Sequence, residues 1–297
     1  MLQQEFQSFF ITAERPKIGL FVTLAAGCTN MLLDLLFVAV FKWGLVGAAL
    51  ATAGSQVVGG VIPIVYFLVP NKSLLKLGRP NFDGRALFKT VTNGSSEFFS
   101  NVSMSLVGLL YNWQLMRYAG EDGIAAYGVM MYVGWIFVSI FVGFSIGTAP
   151  LIGYNVGAKN NAELKNLLRK CLVVTTVLSV SMFVLSETLA RPLALIFVSY
   201  NEGILEMTVR GFRIFSFQFL FCGLAIFGSG FFTALNNGLI SAIISFLRTL
   251  IFQIGAVLLL PLVFKLDGIW ASVIIAEIAA AALSVVFMLC NKKKYGY

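Results

Sequence analysis

Stretches of about 20 apolar residues recur from one end of this chain to the other, the length an α-helix needs to cross the hydrocarbon core of a bilayer. Eight are read, at about 17–40, 46–69, 86–115, 123–150, 169–197, 205–234, 239–263 and 268–290. Hydrocarbon offers backbone amides no partner, so each stretch has to satisfy its own hydrogen bonds as a helix. Of the 297 residues 11% are charged and 59% hydrophobic, with a mean hydropathy of +0.89, against roughly 25% charged in soluble domains. The expected fold class is all-α, a polytopic transmembrane helical bundle of about eight spans with no soluble domain of useful size between them.

The net charge of +8 is spread unevenly over the connections. Fourteen basic residues fall in alternate loops: Arg15 and Lys17; Lys72, Lys76, Arg79, Arg85 and Lys89; Lys159, Lys165, Arg169 and Lys170; and Lys292 to Lys294. The opposite side has six, Lys42, Arg117, Arg191, Arg210, Arg213 and Lys265. By the positive-inside rule the fourteen face the cytoplasm, together with the C-terminus and the 70–89 connection, the longest hydrophilic one. This accounts for the basic balance through the cell membrane rather than through nucleic acid. Histidine is absent, which excludes His-based triads, haem ligation through His and His metal sites. Cys28, Cys171, Cys222 and Cys290 lie far apart with no CxxC spacing, so they indicate neither zinc nor a redox pair. The opening MLQQEFQSFF lacks the basic and apolar regions of a cleavable signal peptide.

The chain repeats itself weakly. A shift of 221 residues pairs Phe6 with Phe227, Ser8 with Ser229, Phe10 with Phe231, Thr12 with Thr233 and Ala13 with Ala234. Without a gap it also pairs Leu45 with Leu266, Gly47 with Gly268 and Lys72 with Lys293. Both copies cross the membrane in the same direction, and parallel repeats of this kind typify alternating-access transporters. Counterparts of residues 86–221 would precede Met1, so one repeat is expected to be complete and the other to lack about its first 135 residues. The chain is accordingly expected to start inside a transmembrane helix.

Four ionisable residues inside the apolar runs stand out, because a charge near the bilayer centre costs about 2.5–3.5 kcal/mol on insertion scales. Glu97 is about 17 Å into its span at 1.5 Å per residue. Asn93, Ser100 and Asn101 extend a polar stripe from it at helical spacing. A polar stripe avoids lipid, so it faces either a neighbouring helix, as a hydrogen-bond network, or a cavity, where Glu97 couples to ions or substrate. Asp34, one turn from Asn30, lies toward the outer half of its span and suits a structural or a coupling role. Glu277 is again near midplane, with Gln56 as its repeat counterpart, so packing and coupling both remain open for it. Arg248 is close enough to the cytoplasmic face to snorkel, or deep enough to pair with Glu277. A carboxylate in such surroundings can load a proton or, with hydroxyls and amides beside it, hold Na⁺; Glu97 is the candidate Na⁺ position. Trp43, Trp113 and Trp270 suit an interfacial aromatic belt. Trp135 is deeper and, with Tyr127 and Gln218, is a candidate for a substrate cavity. Gly143, Gly147, Pro150 and Gly153 are expected to close the fourth span.

Several stretches resemble the multidrug and toxic compound extrusion (MATE) transporter family. Arg15-Pro16-Lys17, Asn30 to Asp34, Gly44 to Thr52 and Ser55-Gln56 look like the family's fifth and sixth helices, and Asn93-Gly94-Ser95-Ser96-Glu97 like its seventh-helix acidic motif. Ala125-Ala126-Tyr127-Gly128 and Gly143 to Ala158 resemble the eighth helix and its exit, and Gly230 to Leu235 the end of the tenth, in the style of the MepA-like bacterial branch. The resemblance implies a fragment of a two-lobed, twelve-helix fold. Residues 1–75 would be a partial first lobe, holding the end of helix 4 with helices 5 and 6, and residues 76–297 a complete second lobe of helices 7–12. It implies antiport of small cationic, amphipathic, drug-like compounds out of the cell against H⁺ or Na⁺, with no cofactor beyond the coupling ion and in a monomer. Glu97 matches the seventh-helix acid of the second-lobe site, and Asp34 an acid of the first-lobe site. Phe221-Cys222-Gly223-Leu224 stands where some members carry a tenth-helix acid. Because alternating access needs two lobes moving against each other, this chain alone is expected to be inactive as an exporter. Two other readings of the same residues are a flippase for lipid-linked saccharides, which needs cavity cations and has only Arg248, and a non-transporting membrane subunit. An integral membrane enzyme would need a catalytic cluster near a membrane face, and the sequence offers neither histidine nor a paired-carboxylate loop.

Overall fold

The computed structural model describes residues 2–69, 75, 78 and 82–297, with the side chains of residues 2, 4, 86, 93 and 95–101 outside that description. The described residues contain helices and no strands. They run as α1 (Leu2–Thr12), α2 (Pro16–Asp34) continuing into a π-helical segment (Leu35–Val40), α3 (Gly44–Leu68), α4 (Gly84–Gly157), α5 (Asn161–Val198), α6 (Glu202–Ser216), α7 (Phe219–Ala234), α8 (Gly238–Phe246) continuing into a second π-helical segment (Leu247–Phe252), and α9 (Gln253–Tyr295).

Two of these helices are too long to be single spans. The 74 residues of α4 would reach on the order of 110 Å at 1.5 Å per residue, against about 30 Å of hydrocarbon. The backbone turns back at Gly120 (φ 65°, ψ −152°) in α4 and at Lys265 (φ 52°, ψ −128°) in α9. With both breaks counted, and α6–α7 taken as one span bent by 49°, the described residues hold eight apolar segments, as the hydropathy pattern predicts. Pro150 does not close the fourth span: the helix runs on to Gly157, since transmembrane helices tolerate proline where neighbouring groups re-satisfy the freed carbonyl.

The chain divides into two compact units, Met1–Phe82 and Asp83–Tyr297. The expected boundary at 75/76 falls in a connection most of which lies outside the described residues. In the first unit α1 packs against α2 and α3, with Phe10 against Tyr66 and Phe67 and a side-chain hydrogen bond from Gln7 to Thr23. Gly59 lets α1 approach, since a Cβ there would come 2.6 Å from the Gln3 amide oxygen. The second unit is held by the same device, small residues that let helices close up where hydrocarbon supplies no hydrophobic drive. Gly223 faces Phe141, Gly228 faces Ser284, and Gly211 faces Met130 and Trp270.

The 221-residue repeat has a counterpart in backbone geometry. Gly44 (φ 56°) and Lys265 (φ 52°) stand in register, and both turn the chain with a positive φ. Three residues later Gly47 packs on the Phe37 backbone and Gly268 on that of Leu260, where a Cβ would come 3.0 and 2.5 Å from the respective carbonyl oxygens. A left-handed corner followed by a glycine that seats the next helix on the last is one hairpin made twice.

Candidate functional site

The second π-helical segment, Leu247–Phe252, inserts Arg248 into the interior of the second unit. Arg248 Nε donates to both carboxylate oxygens of Glu277 at 3.0 Å, and Nη2 donates to Oε1 at 2.8 Å. Glu277 lies twelve residues past the corner at Lys265, about 18 Å along the helix axis, and is buried with 4% of its surface exposed. A bidentate guanidinium–carboxylate fork is the strongest side-chain pairing available, and it lets a charge survive where an isolated one would not.

Polar groups continue on both sides of it. Tyr111 bonds Ser272 at 2.6 Å, and its ring stacks on Tyr127 at 4.9 Å between ring centres and 4° between planes. Tyr127 in turn stacks on Trp270. Toward the α7–α8 corner, Ser229 bonds Ser241 (2.9 Å) and Ser245 (2.8 Å), and Thr233 bonds Ser241 (2.7 Å). Such hydroxyl contacts join membrane helices at about 0.6 kcal/mol each. Among the described residues Gln114 Oε1, Gln218 Nε2, Ser186 Oγ, Thr175 Oγ1 and Ser284 Oγ are buried without a partner. No cluster of three or more Cys, Asp or Glu suited to a metal ion occurs among the described residues.

The residues singled out from sequence do not converge on one place. Glu97, Asn93 and Asn101 have helical backbone in α4, and their side chains lie outside the described residues. Asp34 is half-buried at the junction where α2 becomes π-helical. Glu277 and Arg248 are paired, which sequence left open. Tyr127 is buried between two aromatic rings, and Gln218 is buried at the bend between α6 and α7. Trp135 is 57% exposed and lines a shallow surface groove with Tyr132, Ile136, Ser139 and Phe197. Trp43 and Trp113 are exposed as a belt requires, but Trp270 is 1% exposed. It is a core residue, because Tyr127 and the bare face of Gly211 hold its ring inside.

One intramembrane acid escaped the sequence reading. Glu187 lies ten residues before the expected end of the fifth apolar run at 197 and accepts a hydrogen bond from the Ser216 hydroxyl at the α6–α7 bend. The position count that singles out Glu97 would have found it.

The MatE family model matches residues 98–258. The multidrug export protein MepA of Staphylococcus aureus (strain MSSA476) is 28% identical over 282 residues, and that of Staphylococcus saprophyticus 29% over 288. Both alignments take in 93% of this chain and 61% of the relative, so the chain spans about three-fifths of the length of these curated relatives. Among solved structures, a MATE protein in complex with MaL6 superposes with a TM-score of 0.92 at 18% identity, covering 99% of this chain and 67% of that one. An outward-facing multidrug resistance MATE family transporter of the MOP superfamily gives 0.89 at 19%, covering 97% and 65%.

Proposed function

The chain belongs to the MatE family, and from that membership we infer that it serves the export of cationic, amphipathic, drug-like compounds across the cell membrane by antiport against H⁺ or Na⁺. The family consists of transporters, not enzymes. The observation that carries the reading is the colinear match of 93% of the chain to multidrug export proteins. Transport proceeds by alternating access, in a monomer whose lysine-rich end and C-terminus face the cytoplasm. Glu97, in the seventh-helix motif, carries the coupling ion or the substrate cation, and Asp34 serves the first-lobe site.

The midplane charge pair supports a cationic over a phosphate-bearing cargo. A flippase for lipid-linked saccharides needs free cations in its cavity, and Arg248 is committed to Glu277 through three contacts. The same pairing takes Glu277 out of competition for a cargo cation in this state, which leaves Glu97 and Asp34 among the acids singled out from sequence. The test is drug efflux by cells expressing the full reading frame that contains this chain, with and without Glu97→Gln, under imposed H⁺ and Na⁺ gradients. Loss of gradient-driven efflux in the variant is expected; unchanged efflux would remove Glu97 from the mechanism.

A further inference from the structure

The last residues of the chain fold back on the second unit. Tyr295 accepts a hydrogen bond from the Asn237 side chain at the α7–α8 corner (2.9 Å), and the Tyr297 hydroxyl donates to the Met288 carbonyl (3.0 Å). The Tyr297 ring packs edge-on to Phe231 at 5.1 Å. Between them Gly296, at φ 74°, lies so close to Asn161 that a Cβ would come 2.3 Å from its side-chain nitrogen. Asn161 is the first residue of α5. The tail thus fastens the end of α9 to the start of α5, and with it two basic clusters, Lys292 to Lys294 and Lys165, Arg169 and Lys170.

All six side chains are exposed, and none has an ion-pair partner among the described residues. Glu163 is the single acid in the first turns of α5, and its carboxylate is held by Asn166. Immediately along each helix the exposed surface turns apolar, with Val173 and Val177 on α5 and Val286 and Leu289 on α9. Cations at the rim of a lipid-facing apolar surface stand at the level of phospholipid headgroups, where anionic lipid attracts them. We propose that the two clusters, joined by the tail, form one binding site for the phosphate headgroup of an anionic phospholipid, whose acyl chains run along these four apolar side chains.

The test is phosphatidylglycerol titrated into the detergent-solubilised protein, with phosphatidylcholine as neutral reference and inositol hexakisphosphate as a soluble polyanion. Each cation near an anionic lipid strengthens binding roughly fivefold. Removing three, in Lys292→Gln/Lys293→Gln/Lys294→Gln or in Lys165→Gln/Arg169→Gln/Lys170→Gln, is expected to weaken phosphatidylglycerol binding on the order of 100-fold. Because one headgroup uses both clusters, both losses fall on the same binding event, and combining the two variants brings binding down to the phosphatidylcholine level. Tyr297→Ala, which loosens the tail without removing a charge, weakens binding too, and Arg210→Gln outside both clusters does not. The proposal is overturned if either triple variant keeps half the bound lipid, if Arg210→Gln has the same effect, or if inositol hexakisphosphate displaces the lipid at equal concentration. The readout is lipid binding, so it stands or falls apart from drug efflux.

Discussion

Arg248 and Glu277 face each other across α9 and the π-helical segment before it, with three donor–acceptor contacts of 2.8–3.0 Å closing the fork. Each ion taken from water costs several kcal/mol, and mutual attraction offsets this only while both partners are present. The arrangement therefore makes different demands on single and double substitutions.

Removing one partner leaves a buried charge uncompensated. Glu277→Leu or Arg248→Met should each destabilise the protein by about 3–5 kcal/mol. The double variant Arg248→Met/Glu277→Leu should recover most of that loss, since apolar pairs of similar volume often replace buried ion pairs without penalty. Chemical unfolding in detergent, read for all three variants and the parent, gives the coupling directly. Additive losses in the double variant would mean that the two side chains do not depend on each other.

The Tyr111–Ser272 contact has a direction. The Ser272 hydroxyl donates its one proton to the Ile269 carbonyl at 2.6 Å, so in the 2.6 Å contact with Tyr111 the phenol is the donor. Tyr111→Phe then removes a buried donor and leaves Ser272 with its carbonyl partner, at about 1 kcal/mol. Ser272→Ala strands the phenol in a fully buried position, at about 1–3 kcal/mol. The order of the two losses in an unfolding titration tests the assignment of the donor.

Legibility from sequence followed the range of the physics. Hydropathy reports on lipid, a solvent common to every segment, and so the eight spans could be read without knowing which helix touches which. The constant 221-residue offset worked for the same reason, since a corner at Gly44 and at Lys265 is a local backbone property. Trp270 failed because belt and core differ only in what lies against the ring, and Tyr127 and Gly211 are 143 and 59 residues away in the chain. The Arg248–Glu277 pair could be suspected but not established, because the π-helical segment decides where Arg248 points and the sequence carries no signal for it.

Lys265 holds a conformation that a β-carbon opposes, at φ 52° and ψ −128°. Strain of this kind costs on the order of 1–3 kcal/mol. In the repeat the same position is Gly44, which adopts a positive φ freely. Lys265→Gly is expected to stabilise the protein by up to about 1 kcal/mol, the relief being partly offset by the larger entropy of glycine in the unfolded chain. Gly268→Ala, three residues on, should act in the opposite sense, because its Cβ would come 2.5 Å from the Leu260 oxygen and force the hairpin apart. Parallel melts of both variants decide between a corner under strain and one held without tension.

The tail that closes on Asn161 carries its own pH dependence. Burial, and then the neighbouring Tyr295, push the Tyr297 phenol up to about 12 from an ordinary value of 10. A folded value above the unfolded one means that the neutral phenol is favoured by the fold. Its contribution is fully present below about pH 10 and is lost as pH rises through about 12. The tail should therefore hold at neutral pH and release between these limits, when the ionised phenolate can no longer donate to Met288 or stay against Phe231. Tyr297→Phe keeps the ring and removes the titration, so the protection of amides 292–297, their exchange measured against the base-catalysed rate of a free peptide at the same pH, should stay constant over that interval. The parent should lose that protection steeply there. Equal alkaline sensitivity in parent and variant would place the titrating group elsewhere in the tail.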